Sequence, residues 1–182
     1  MRSLRLFCSI STVLIIGSMT ACSDTPTKSP DVTGNIRQSL DQAGLKDVSV
    51  SQDRDKGVVT LTGDTTSDAD KAQAELIAKT YAGTQVVSDQ IAVRPPGDES
   101  IAKKVDADLD KGIENNFEAV LAQHKLDSAV KYDVKNGVIT LNGKVNSQSK
   151  RAWVEKLATE VPNVRQVVNE LQVKDQKASS SD

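Results

Sequence analysis

Apolar and polar positions along the chain form one pattern that occurs twice. Gly57-Val58-Val59-Thr60-Leu61-Thr62-Gly63 returns 80 residues later as Gly137-Val138-Ile139-Thr140-Leu141-Asn142-Gly143, and Val87 to Val93 returns at the same offset as Val167 to Val173. Self-similarity at a fixed spacing marks a repeated structural unit. In the first copy, Thr33 is placed to cap a helix carrying Ile36, Leu40 and Ala43 on one face, and Gly44 ends it where a left-handed backbone is cheap. Val48 and Val50 then alternate with polar residues, as in a half-buried strand. Asp55-Lys56-Gly57 and Lys135-Asn136-Gly137 read as hairpin turns, and the strand after each puts Val59 and Leu61, or Ile139 and Leu141, on one face. A second helix is predicted over about 68–82 and 148–160, presenting Ala72, Leu76 and Ile77 in one copy and Ala152, Leu157 and Ala158 in the other. A last strand directs Ile91 and Val93, or Leu171 and Val173, at the same core. Each copy therefore predicts helix, strand, strand, helix, strand, an α+β unit with two helices on one sheet face.

Punctuation divides the rest. Arg94-Pro95-Pro96-Gly97 separates the copies, because consecutive prolines interrupt helix and sheet hydrogen bonding. Before the second copy, Ile101, Val105, Leu109, Ile113, Phe117 and Leu121 recur every four residues; Gly112 offers a break into two helices, and the stripe offers a surface for packing one domain on the other. Ser23 to Pro30 and Lys174 to Asp182 lack apolar periodicity and read as a tether and a tail. The expected organisation is a signal over 1–21, a flexible tether over 22–30, a first domain over 31–93, a linker and linker helix over 94–109, a second domain over 110–173 and a tail over 174–182.

The signal has three parts: basic Arg2 and Arg5, a mostly apolar run from Leu6 to Gly17, and small residues before Cys22. The uncharged stretch Leu6 to Ala21 is shorter than the roughly 18 to 20 residues a permanent membrane span requires. Met19-Thr20-Ala21-Cys22 resembles the lipobox of bacterial lipoproteins, with Met where Leu is usual. Cleavage before Cys22 would remove Cys8 and leave Cys22 as the sole mature cysteine, so no mature disulfide is available. The resemblance implies a diacylglyceryl thioether and an amide-linked acyl chain on Cys22, a two-signal anchor that holds stably. It also implies sorting to the outer membrane, facing the periplasm, because Ser23 and not Asp follows the cysteine.

Composition narrows the chemistry. Loss of Arg2 and Arg5 from 23 basic residues, against 25 acidic ones, leaves a formal charge of −4, which disfavours nucleic acid as a partner. With 3% aromatic residues, the cores must be aliphatic. The single histidine, His124, lies near a predicted helix end with no mature cysteine to share a nucleophile or metal site. Asp106-Ala107-Asp108-Leu109-Asp110 lacks the glycine and terminal glutamate of a calcium loop and reads as a solvated helix face. Gly57 and Gly63 bracket a strand and do not precede a helix N-terminus, so they read as turn residues and not as a phosphate cradle. No catalytic residue, metal ligand or cofactor is expected.

The repeated segments G-V-V-T-L-T-G with V-S-D-Q-I-A-V, and G-V-I-T-L-N-G with V-V-N-E-L-Q-V, resemble the signature of the BON domain across about Asp31 to Val93 and Asp110 to Val173. The resemblance implies two tandem αββαβ domains, each a three-stranded mixed sheet covered by two helices. It further implies a non-enzymatic envelope protein that attaches to phospholipid membranes and supports envelope integrity or osmotic-stress tolerance.

The copies differ in surface charge. From Lys144 to Arg165 five cations face two carboxylates, whereas from Asp64 to Gln85 two cations face four. Trp153 falls where the first copy has Gln73, which argues for an outward side chain. With Lys150, Arg151 and Lys156 it composes a candidate contact for an anionic phospholipid membrane, indole at headgroup level and cations on the lipid charge. Two other readings of Trp153 stand beside it, a plug between the domains and an edge filler of the second core. The rival function is a protein-interaction or chaperone-like module that meets an envelope protein partner through the Ile101 to Leu121 stripe or the paired sheets.

Overall fold

The computed structural model describes residues 28–173. The signal, Cys22 and the tail over 174–182 lie outside the described residues. The first unit runs α1 (Thr33–Gln42), β1 (Val48–Asp53), β2 (Val58–Thr65), α2 (Asp68–Ala82) and β3 (Val86–Val93); the second runs α3 (Glu99–Gln123), β4 (Val130–Lys135), β5 (Val138–Val145), α4 (Gln148–Thr159), β6 (Gln166–Asn169) and β7 (Gln172–Val173). In each unit the central strand pairs antiparallel with the hairpin partner and parallel with the last strand. The second unit's last strand is interrupted, so β6 and β7 pair β5 in turn.

Alternation along the central strands builds two separate layers. Val59 and Leu61, like Ile139 and Leu141, are fully buried beneath the helices with Ile36 and Leu40, or with Phe117 and Leu121. The opposite faces carry Val58, Val138 and Val168, which form a third buried cluster where the two sheets meet. The domains thus pack through their helix-free sheet faces, and not through the stripe on α3 as the sequence suggested. Helical geometry explains the difference: four residues turn about 400°, so a four-residue spacing drifts by about 40° at each step. Ile113, Phe117 and Leu121 reach the second core, while Ile101, Val105 and Leu109 have drifted to the solvent side, 64%, 50% and 41% exposed. Gly112 does not break α3, which continues through it as one helix of 25 residues.

Three local expectations change. Thr33 opens α1 without capping it; the Asp31 carboxylate instead accepts from the Thr33 N–H and hydroxyl, at 3.0 and 2.8 Å. On α2 the buried residues are Ala74, Ala78 and Ala82, and Ala72 and Leu76 are exposed. On α4 they are Val154 and Ala158, with Ala152 exposed. Gly63 and Gly143 are not turn residues. They lie within β2 and β5 at φ +113° and +129°, and a Cβ would stand 2.1 Å from the Asp47 carbonyl oxygen or 2.4 Å from that of Ala129. Glycine is required there by close backbone approach. The two-residue turn Asn136-Gly137 does follow its sequence, with both φ angles positive, as the favoured hairpin turn demands.

Candidate functional site

Helix α4 begins at Ser147, whose Oγ accepts the Lys150 N–H at 3.1 Å. Its counterpart α2 begins at Ser67, whose Oγ accepts the Asp70 N–H and whose hydroxyl donates to the Asp70 carboxylate at 2.8 Å. The first copy therefore closes a reciprocal cap with a carboxylate at the positive end of the helix dipole. The second places Lys150 there and has no acid in the first turn. Three residues on, Trp153 is 39% exposed and meets His124 edge to face, ring centroids 5.0 Å apart. His124 ends α3, so its imidazole joins that helix end to the middle of α4 beside a groove of about 420 Å³ bounded by Val120, Gln123, Leu157 and Val161. Lys156, 73% exposed, lies 3.9 Å from Glu160 one turn later.

Arg151 faces elsewhere. Its Nε donates to the Leu171 carbonyl at 3.0 Å and its Nη2 to the Asn169 carbonyl at 2.7 Å, while Asn169 Oδ1 accepts the Leu171 N–H. The first copy repeats the device: Lys71 donates to the Ile91 carbonyl at 2.6 Å and pairs with Asp89, whose Oδ1 accepts the Ile91 N–H. Burial pushes the Asp89 carboxyl up from its ordinary value despite that backbone hydrogen bond and the Lys71 charge. The cation and Asx side chain seal the outer edge of the last strand, where unpaired backbone would invite another strand. Gln166 extends the seal on β3, accepting from the Asp89 N–H at 3.0 Å and donating to the Val87 carbonyl at 2.7 Å. The structure thus leaves Trp153 and Lys156 exposed on α4, places Lys150 half-buried in its first turn, and ties Arg151 to the last strand. Sequence reasoning missed the His124 contact and the edge seal. The seal had a signal, since Lys71 and Arg151, like Asp89 and Asn169, recur at the repeat offset.

No group of three histidine, cysteine, aspartate or glutamate side chains among the described residues is arranged to hold a metal ion. No described helix is long and apolar enough to cross a membrane.

Two mixed αββαβ units joined through helix-free sheet faces define a tandem small-domain protein, and the chain belongs to the BON domain family, whose model matches residues 29–95 and 98–175. It is similar to osmotically-inducible protein Y of Escherichia coli strain K12, 31% identical over 146 residues that span 79% of this chain and 71% of that one. Among solved structures, the C-terminal domain of CdsD, the structural protein of the type III secretion system of Chlamydia trachomatis, overlaps 78% of this chain and 67% of its own at 13% identity and TM-score 0.33. A second CdsD structure overlaps 79% of this chain and 92% of its own at 14% identity and TM-score 0.35. Overlaps this loose carry no functional weight.

Proposed function

We propose that this protein is a non-enzymatic, lipid-anchored envelope protein, held by acylated Cys22 in the outer membrane facing the periplasm, whose second BON domain binds anionic phospholipid and supports tolerance of osmotic stress. The observation that carries the reading is Trp153, 39% exposed on a helix whose positive end bears Lys150 and no acid. A cation at that end forgoes about 0.3 to 1 kcal/mol of helix stability, and the resulting field favours phosphate groups. Indole belongs at the headgroup level, and Lys156 adds a second cation on the same surface. Each cation near an anionic surface contributes about 1 kcal/mol, so the contact is weak alone and effective once Cys22 holds the protein at the bilayer. The name of the relative, osmotically-inducible protein Y, supports the stress role.

Titration of the soluble mature chain with phosphatidylglycerol vesicles at low salt should shift Trp153 emission to the blue and raise its intensity. An unchanged spectrum at saturating lipid would overturn the lipid contact. One observation favours a second reading, a contact with an envelope protein: Ile101, Val105 and Leu109 leave an apolar strip uncovered on α3. Crosslinking from Val105 to one defined envelope protein, unaffected by charge reversal at Lys150 and Lys156, would support that reading over the first.

A further inference from the structure

The last residues of the expected tether are not free. Ser29 donates its N–H to the Arg54 carbonyl at 2.9 Å, and Arg54 Nε donates back to the Ser29 carbonyl at 2.7 Å. The Gln52 amide works like one peptide unit of an added strand, donating to the Pro30 carbonyl at 2.7 Å and accepting the Val32 N–H at 3.2 Å. Gln85 gives the Pro30 carbonyl a second donor at 3.3 Å, and Lys28 pairs with Asp55 at 3.3 Å. Gly57 leaves room for the crossing chain, because a Cβ there would stand 3.1 Å from Ser29 Oγ. All these partners lie at the hairpin end of the first sheet: at the end of β1, in the turn between β1 and β2, or just before β3.

That end is also joined to the second domain. Lys56, at the hairpin tip, reaches Glu170 at 2.5 Å and Asn142 Oδ1 at 3.1 Å. Glu170 sits between Asn169 and Leu171, whose carbonyls are held by Arg151 in the first turn of α4. At the far end of the first sheet lie Asp47, Thr65 and Arg94, roughly 17 Å away along the length of β1.

We propose that Lys28 to Val32 form an orienting strap, which turns the hairpin end of the first domain and the first turn of α4 toward the lipid bilayer and holds the Asp47 and Arg94 end away from it. The inference rests on the Cys22 anchor proposed above and adds to it a direction. Five residues, and so six Cα-to-Cα steps, separate Cys22 from Lys28. Their reach is about 20 Å fully extended and about 13 Å as a flexible chain. A domain of this size measures about 25 to 30 Å across. A tether this short, fastened at the hairpin, does not let the first domain roll over to present its far end. Lys150 and Trp153 are brought to lipid by the same geometry.

The test uses the full acylated chain in phosphatidylglycerol vesicles that contain lipids with a quencher on the headgroup. A fluorophore is placed on Thr84→Cys, exposed near the hairpin end, or on Lys46→Cys, exposed at the far end. The label at position 84 should be quenched severalfold more than the label at 46. Combining either label with Gln52→Ala and Arg54→Ala should bring the two toward equality while the protein stays on the vesicles. Equal quenching in the chain with an intact strap would overturn the orientation and leave the anchor standing. A mature mass without acyl chains would instead overturn the anchor and the orientation with it.

Discussion

The two domains share one backbone plan but differ where the plan meets solvent and in what fills the core. In the first, Ile36 and Val50 occupy positions that in the second belong to the buried Phe117 and the half-buried Tyr132, an aromatic pair packed edge to face at 5.0 Å. The first ends its opening helix on Gly44 at φ +80°; the second reaches the same turn with Lys125 at φ +54°. The first closes the cap of α2 with Asp70, and the second leaves Lys150 at the head of α4. The second copy thus accepts two local choices that disfavour its own helix ends and offsets them with a larger core. Departures from local consistency are expected where a surface has been given over to binding.

This contrast is sharpened most by the core. Phe117→Ala should destabilise the second domain by about 4 kcal/mol and Ile36→Ala the first by about 3 kcal/mol, because a larger cavity is left behind. Trp153, the chain's one tryptophan, reports urea unfolding of the second domain directly, and its midpoint should fall in Phe117→Ala and hold in Ile36→Ala. Next in size is Lys150→Asp, which copies the first domain's cap into the second. It should raise stability by about 1 kcal/mol and weaken vesicle binding, an opposition that a purely structural Lys150 would not produce. Lys125→Gly relieves a left-handed backbone and should also stabilise by about 1 kcal/mol, with vesicle binding unchanged.

The smallest effect concerns Asp89, whose counterpart is the neutral Asn169. Burial raises the Asp89 carboxyl pKa in the folded state. The stability this contributes is complete below the unfolded value and is lost as pH rises through the folded one. Asp89→Asn keeps the acceptor for the Ile91 N–H, so its advantage over the parent in urea melts should grow from acidic to neutral pH. A difference that shrank over that range would assign the net effect at Asp89 to its pairing with Lys71.

Much of this was legible in the chain. Glycine-bounded strands and Asn136-Gly137 specify their own geometry, because positive φ and close backbone approach select residue types locally. The inward face of α2 was not legible. Ala72, Ala74, Ala78 and Ala82 offer two helical stripes of equal polarity, and only packing against β2 and β3 selects one. For α3 the four-residue recurrence was visible, but its drift around the helix separates Ile101 from Phe117. The role of Arg151 was hidden for another reason: a cation in a basic cluster reads as surface until the last strand, twenty residues away, folds beneath it. Trp153 was assigned outward from its counterpart Gln73, correctly, although the neighbouring Ala152 does not face the core.

In the proposed contact the second domain, and not the first, meets lipid through α4. The direct measurement compares the parent chain with a Trp153→Gln, Gln73→Trp variant, titrating both with phosphatidylglycerol vesicles at low salt and following the one indole in each. A blue shift and intensity gain are expected for the parent, and a flat response from the indole moved to α2. Equal responses from the two positions, or a flat parent, would contradict that contact.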